Sequence, residues 1–196
     1  DLQPLNIHEI LEHVRNLIIA EFGPEVTITR DYDPSLPEFS GDRSQLVQVM
    51  LNILRNAVQA APSPTDCAIT LRTRSQRQFT IGTERHRLVC RVDLLDNGPG
   101  IPEEMLHAVF VPMVTTKAEG SGLGLSLAQS MINSHHGLLE CESEPGVEVT
   151  AEQGDERARI VDGVHADRQH GPGCDTPRSE SSTGRSIDDQ PEQGEC

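Results

Sequence analysis

The stretch Gly120-Ser121-Gly122-Leu123-Gly124-Leu125, followed by an apolar helical pattern from Leu123 to His136, decides the reading of this chain. Three glycines at alternate positions bring bare backbone N–H groups within reach of an anion, and a helix begins where they end. Amides and the positive end of a helix dipole together make a phosphate cradle. Glycine-rich loops are common, so this stretch alone is a weak signal. Its neighbours decide what it means.

Just upstream lies Phe110-Val111-Pro112-Met113-Val114-Thr115-Thr116-Lys117, and Lys117 is the only lysine in the chain. Further upstream, Leu88, Cys90, Val92 and Leu94 alternate strictly, which predicts a half-buried strand. That strand runs into Asp96-Asn97-Gly98-Pro99-Gly100-Ile101. An acid at a strand end, followed by two glycines, lets the flat ring of a ligand approach the backbone closely. The same residues are compatible with an ordinary Asn-Gly turn. Pro102 to Ala108 reads as a short helix, with Glu103 and Glu104 favourably placed near its start.

Two helices precede these motifs. Asn6 with Glu9 resembles a capping box, Ile10, Leu11, Val14, Leu17 and Ile18 recur at helical spacing, and Gly23-Pro24 stops the run. Val26 to Tyr32 reads as a strand. Asp42 or Ser44 caps a second helix whose apolar set is Leu46, Val49, Met50, Ile53, Leu54, Ala57, Val58 and Ala61. Its other side carries Gln45, Gln48, Asn52, Asn56 and Gln59, a stripe of amides without charge. Asn52 and Asn56 are four apart and share one side. The stripe is either a chance polar face or a functional one. Cys67 to Thr73 reads as a strand, Arg74 to His86 as a polar hairpin loop, and Leu138 to Cys141 as the start of another strand after a left-handed stop at Gly137. Leu127, Met131 and Ile132 mark the core side of the third helix.

Composition narrows the class. The chain has 196 residues, a net charge of −15, 3% aromatic residues and no Trp, so its core is aliphatic and its surface unlike a nucleic-acid-binding one. No apolar run approaches the eighteen or so residues of a membrane helix. The chain opens on Asp1 rather than Met, which is expected of a piece of a longer protein. Five scattered cysteines, without a C-x-x-C pair, read as free thiols of a reducing, cytoplasmic compartment. The His135-His136 pair reads as a solvated helix end rather than a metal site. Residues 151–196 hold 11 acids and 5 arginines, no aromatic residue and few aliphatics. Such a segment cannot offset its ordering entropy, so disorder is expected from about Glu152. The domain limits are thus 1–150 for a folded unit and 151–196 for a polar tail. The break in alternation near residue 147 reads as either a genuine tail or a change of reading frame.

Taken together, the stretches between residues 6 and 146 resemble the ATP-binding catalytic domain of sensor histidine kinases, within the family that includes gyrase and heat-shock-type ATPases. The N box is Asn52-Ile53-Leu54-Arg55-Asn56-Ala57, the first glycine box Asp96 to Ile101, the F box Phe110 to Lys117, and the second glycine box Gly120 to Leu125. Phe-x-Pro-x-x-Thr-Thr-Lys and Gly-Ser-Gly-Leu-Gly-Leu-Ser-Leu-Ala-Gln look like the nitrogen-regulation branch. The resemblance implies an α+β fold, a two-layer α/β sandwich whose mixed sheet is covered on one face by about three helices, with residues 109–121 as a mobile ATP lid. It implies ATP and Mg²⁺ as cofactors. Asn56 would hold Mg²⁺ through its side-chain oxygen, and Asn52 would lie beside the triphosphate. Asp96 would accept a hydrogen bond from the adenine amino group, and Gly98 and Gly100 would let the base approach. Lys117 would neutralise phosphate charge, and Gly120, Gly122, Leu123 and Gly124 would offer backbone amides to the phosphates.

The implied chemistry is transfer of the γ-phosphoryl group to a histidine, which rests mainly on positioning and charge stabilisation. The hydrolysing relatives place Glu where this chain has Asn52, and an amide is a poor base for water. No His-Glu-x-x-Asn-Pro stretch is present, so the phosphoacceptor would belong to another domain of a dimeric parent protein, with a response regulator downstream. His8 does not match that motif. Met113 stands where the family prefers an aromatic residue. An ATP-hydrolysing module and a catalytically incomplete nucleotide-binding fragment are the alternatives.

Overall fold

The computed structural model describes residues 2–114 and 122–143, together with the backbone of residues 164–165. In chain order the elements are β1 (Gln3–Leu5), α1 (Ile7–Phe22), β2 (Thr27–Asp31), β3 (Phe39–Gly41), α2 (Arg43–Ala60), β4 (Ala68–Ile81), β5 (Glu84–Asp96), α3 (Glu103–Leu106), α4 (Gly124–Ser134) and β6 (Val164–His165). The main sheet has the order β2-β4-β5-β6, and β1 pairs with β3 in a separate ribbon. β2 runs parallel to β4, and the other two pairings are antiparallel. The sheet is therefore mixed, and α1, α2 and α4 lie on one of its faces around a single aliphatic core.

Each helix is set by its caps and its apolar period. Asn6 caps α1, but its side-chain oxygen accepts from the His8 N–H rather than from Glu9. Ile7, Ile10, Leu11, Val14 and Ile18 fill the core from this helix, and Gly23 ends it at φ +100. Asp42 caps α2 by accepting from the Gln45 N–H. The apolar face foreseen for α2 is buried from Leu46 to Val58, with Leu51 added, while Ala61 falls beyond the helix and stays partly exposed. Opposing these, Ile69 and Leu71 of β4 and Val92 and Leu94 of β5 turn their side chains into the same core. Each buried aliphatic side chain of this size contributes about 1.5–3 kcal/mol through water release. Surface ion pairs add alignment rather than much energy: Arg55 meets Glu21 at 2.8 Å between α2 and α1, and Arg72 and Arg74 both reach Asp31 across β4 and β2.

Several sequence expectations are corrected. Residues 74–86 are not a loop: β4 and β5 pair continuously to Ile81 and Glu84 around a turn at Gly82. Polar residues are suited there because most of the long hairpin leaves the core and meets water, with His86 the buried exception. β5 is not strictly half-buried either, since Val89 and Asp93 are buried on the face away from the helices, and Asp93 pairs with Arg91 at 2.8 Å. On α4, Ile132 is buried and Met131 packs against the core as expected, while Leu127 is exposed and Ala128 is buried in its place. The left-handed residue ending α4 is His136, at φ +60, rather than Gly137. The Gly137 N–H still closes the end by donating to Ile132 O at 3.0 Å. His135 is not a solvated residue but a buried one. Residues 138–143 form no strand, although Leu139 points inward and Glu140 and Glu142 point out. Alternation sets which side chains are buried, while a ladder also requires a partner with free edge groups. Next to β5 that place is taken by β6, where Val89 faces His165 and Cys90 faces Val164. β6 lies inside the stretch expected to be disordered, and the rest of that stretch is outside the described residues. Cys67 and Cys90 are buried free thiols, and Cys141 is a partly buried one.

Candidate functional site

The amide stripe of α2 is not a solvated face. It is the seam against α4. Ser134 Oγ donates to Gln45 Oε1 at 3.2 Å, Gln48 Nε2 donates to Asn52 Oδ1 at 2.9 Å, and Asn52 Nδ2 donates to Gly124 O at 3.2 Å. A Cβ added at Gly124 would lie 3.9 Å from Asn52 Cβ and from Asn56 Nδ2, so the bare first residue of α4 sits over both asparagines. The far end of the seam is closed by His135. The Asp42 N–H donates to its Nε2 at 2.9 Å, and its Nδ1 lies 2.8 Å from Met131 O. With Nε2 accepting from Asp42, Nδ1 is the ring nitrogen that faces Met131 O as donor.

Beside the asparagines a hollow of about 100 Å³ opens between α2 and the sheet. Its walls are apolar, from Ile53 and Ala57 of α2, Ile69 of β4, Leu94 of β5, Ile101 and Leu125 of α4. Three polar side chains also line it, Asp96 at the end of β5, Asn56 on α2 and Ser143 after α4. Asp96 is held by a bond from the Gly98 N–H to its Oδ1 at 2.8 Å. Gly98 has no room for a side chain, since a Cβ there would lie 2.6 Å from that same oxygen. Neither Asn97 nor Gly98 has a positive φ, so this stretch is not an Asn-Gly hairpin turn; the left-handed residue is Gly100, at φ +78. Asn97 instead joins the strand ends, accepting from the Ala68 N–H at 2.9 Å and donating to Asp66 O at 2.7 Å. The Ile101 N–H donates to Ser143 Oγ at 2.7 Å, which brings the segment after α4 to the rim of the hollow. Cys141 lines it too, and burial first, then the Asp96 charge, pushes its thiol up to about 11.

The glycine-rich stretch is described in part. Gly122 has φ +66 and packs on backbone, where a Cβ would come within 2.7 Å of Met113 C. The Met113 N–H donates to Gly122 O at 3.0 Å, and Met113 itself is left-handed, at φ +69. This bond ties the described part of the expected lid, residues 109–114, to the start of α4. The N-terminus of α4 at Leu123 has no side-chain cap. Lys117 and Gly120 lie outside the described residues. Thus Asn52, Asn56, Asp96, Gly98, Gly100, Gly122, Leu123 and Gly124 line one continuous region, from the hollow to the helix start. Gln48, Ile101, Cys141 and Ser143 belong to this region and were not singled out as site residues. The i, i+4 spacing of Gln48 and Asn52 is the one signal that points to any of them.

The group types fit a magnesium-bound nucleotide. Among the described residues no three His, Cys, Asp or Glu side chains gather to hold a metal. Mg²⁺ does not require such a cage, because phosphate oxygens and water supply most of its ligands and a single protein oxygen suffices. An apolar slot with one carboxylate suits a flat base, and a glycine-bearing helix start over two amides suits phosphate.

A two-layer domain with such a slot opening toward a glycine-flanked helix start belongs to the nucleotide-binding ATPase class. Residues 41–156 match the family described as histidine kinase-, DNA gyrase B- and HSP90-like ATPases. The chain belongs to that family. Over 141 residues it is 48% identical to the sensory histidine kinase/phosphatase NtrB of Klebsiella oxytoca, covering 72% of this chain and 40% of that protein. The NtrB of Rhizobium leguminosarum bv. phaseoli is 41% identical over 145 residues, covering 72% and 38%. The chain therefore spans about two fifths of the curated relatives' length. Among solved structures, the catalytic domain of histidine kinase ThkA superposes with a TM-score of 0.61 at 24% identity, covering 82% of this chain and 92% of that one. Full-length ShkA in complex with AMPPNP superposes with a TM-score of 0.63 at 21% identity, covering 85% and 32%. These likenesses bear out the expected fold and the resemblance to the histidine kinase ATP-binding domain. No described helix is long and apolar enough to cross a membrane.

Proposed function

We propose that this chain is the catalytic part of a sensor histidine kinase of the nitrogen-regulation type, which binds Mg-ATP and donates the γ-phosphoryl group to a histidine on a separate dimerisation and phosphoacceptor domain. The observation that carries this reading is the pairing of Asp96, pinned by the Gly98 N–H at 2.8 Å in an apolar slot, with the glycine-bearing start of α4 over Asn52 and Asn56. Asp96 accepts from the adenine amino group, and the slot takes the base on its apolar walls. Asn56 Oδ1 is the protein ligand of Mg²⁺, which supplies charge neutralisation between phosphates when bound. The N–H groups of Gly122, Leu123 and Gly124 face the phosphates, with Gly120 and Lys117 completing the cradle. Asn52 offers an amide rather than a carboxylate, which suits a neutral imidazole nucleophile better than water activation.

In this reading residues 1–150 form the catalytic domain and residues 151–196 a polar tail. The parent protein is a cytoplasmic homodimer, and its phosphohistidine passes the phosphoryl group to a response regulator. Mixing the chain with a separately prepared phosphoacceptor domain and γ-labelled ATP tests it. Label appearing on histidine is the expected result. Phosphate release without transfer marks a hydrolase of the same fold, and binding without either marks a non-catalytic nucleotide module.

A further inference from the structure

Gln48 lies one helical turn before Asn52 on α2, partly buried, with no charged neighbour in its bonding. It has the polar reach to do something other than face water. Its Nε2 donates to Asn52 Oδ1 at 2.9 Å, and the Asn52 Nδ2 donates in turn to Gly124 O at 3.2 Å. A carboxamide has two distinguishable ends, and once its oxygen is engaged its nitrogen must face the other way. The direction matters here, because the other way is the first residue of α4. An asparagine with its NH₂ turned there offers two donors, and one of them is used by Gly124 O. With the amide turned over, its oxygen would face Gly124 O and any phosphate oxygen, and both contacts would be repulsive.

We propose that Gln48 is a positioning residue that fixes the Asn52 carboxamide with its N–H₂ toward the phosphate end of the site. The proposal rests on the functional reading above. Asn52 is a hydrogen-bond donor to the transferring phosphoryl group, oriented by Gln48. Gln48 itself touches neither nucleotide nor metal.

Two near-isosteric variants separate orientation from packing. Gln48→Met removes the donor and lets the Asn52 amide rotate. Gln48→Glu, ionised at neutral pH, accepts from Asn52 Nδ2 and turns the amide over. Made in the full 196-residue chain and assayed with a separate phosphoacceptor domain, they should lower the transfer rate in the order wild type, Met, Glu. A misdirected contact of this kind costs about ten- to a hundredfold in rate. The Kd for Mg-AMPPNP should stay within about threefold, and Tm should not follow the rate order, because one partly exposed hydrogen bond adds only about 1 kcal/mol to stability. In an Asn52→Leu background both Gln48 substitutions should have no further effect on rate, which is the non-additivity expected of residues acting as a unit. The Asn52 side-chain amide signal in ¹⁵N NMR gives a readout independent of transfer. On adding Mg-AMPPNP it should shift in the wild type and fail to shift in Gln48→Glu. Equal amide shifts in wild type and Gln48→Glu, or additive rate losses in the Asn52→Leu background, overturn the role of Gln48. A wild type that transfers nothing yet shows the amide shift overturns the kinase reading and supports the positioning one.

Discussion

The side chain of Asn52 donates across the seam to the backbone carbonyl of Gly124 at 3.2 Å, so the first residue of one helix is held by an amide of another. Asn52→Asp exchanges that donor for a carboxylate. A carboxylate cannot donate to Gly124 O, so that bond is lost at about 1 kcal/mol, offset in part by the favourable charge near a helix N-terminus, and Tm should fall slightly. The same charge opposes a triphosphate, and affinity for Mg-AMPPNP should fall at least about tenfold, or about 1.4 kcal/mol. Isothermal titration calorimetry with a thermal melt reads both.

Gly98 lies so close to Asp96 that any side chain must displace the carboxylate, since a Cβ would lie 2.6 Å from Oδ1. Gly98 has no left-handed φ, so alanine there leaves the backbone unstrained. Gly98→Ala should therefore act at the base slot rather than on the fold. Adenine-nucleotide affinity should drop about as far as in Asp96→Ala, with circular dichroism unchanged. A full-affinity Gly98→Ala protein would remove Asp96 from base recognition.

His135 is 7% exposed and bridges the Asp42 N–H and Met131 O. His135→Phe preserves the bulk and strips both bonds. Each lost hydrogen bond costs about 0.5–1.5 kcal/mol, which urea denaturation should detect. Nucleotide affinity should hold, because the ring is at the opposite end of α4 from Gly124.

Cys141 lines the hollow, and its thiol is raised to about 11 by burial and by the charge of Asp96. At pH 8 almost none of it is thiolate, so iodoacetamide should label it slowly, and faster as pH rises toward that value. Mg-AMPPNP should protect it. Peptide mapping by mass spectrometry over a pH series, with and without nucleotide, checks both statements.

Asp33 accepts from the Ser35 hydroxyl at 2.6 Å, the Ser35 N–H at 2.9 Å and the Ser75 N–H at 3.1 Å. These bonds hold its carboxyl well below its ordinary value of 3.8. A carboxyl that ionises more readily folded than unfolded contributes stability above its unfolded value, and that contribution fades as pH falls toward the folded one. Asn at this position has no such titration. Between about pH 4 and pH 2.5 the wild type should lose more Tm than Asp33→Asn, and above about pH 5 their difference should be constant.

The parts of the fold legible in the sequence were those set by local chemistry. The caps at Asn6 and Asp42 and the apolar face of α2 depend on residues a turn apart, and each appears where the pattern puts it. The order of motifs likewise sufficed for the family. What escaped depended on partners distant in sequence. Residues 74–86 read as a loop because a strand whose side chains are almost all polar has no hydrophobic period to read. Leu138 to Cys141 alternates correctly yet lacks a ladder, since pairing is a property of two segments. Leu127 and His135 were misplaced in opposite senses: a leucine is exposed, and a histidine is buried because Asp42, 93 residues away, supplies its partner. In the site, Asn52 and Asn56 were legible as a stripe. Gln48 was visible in that stripe, but its bond to Asn52 was not, because amides at that spacing bond only when nothing better competes.

Helix α4 is fastened to α2 at both ends. At its C-terminal end His135 accepts from the Asp42 N–H and Ser134 donates to Gln45, and at its start Gly124 accepts from the Asn52 amide. Its 11 residues span about 16 Å at the usual rise per residue. A tilt of about 4° about one end would carry the other through about 1 Å. Bonds at both ends resist that tilt, so α4 acts as a fixed rail that keeps Gly124 in register with the asparagines of α2.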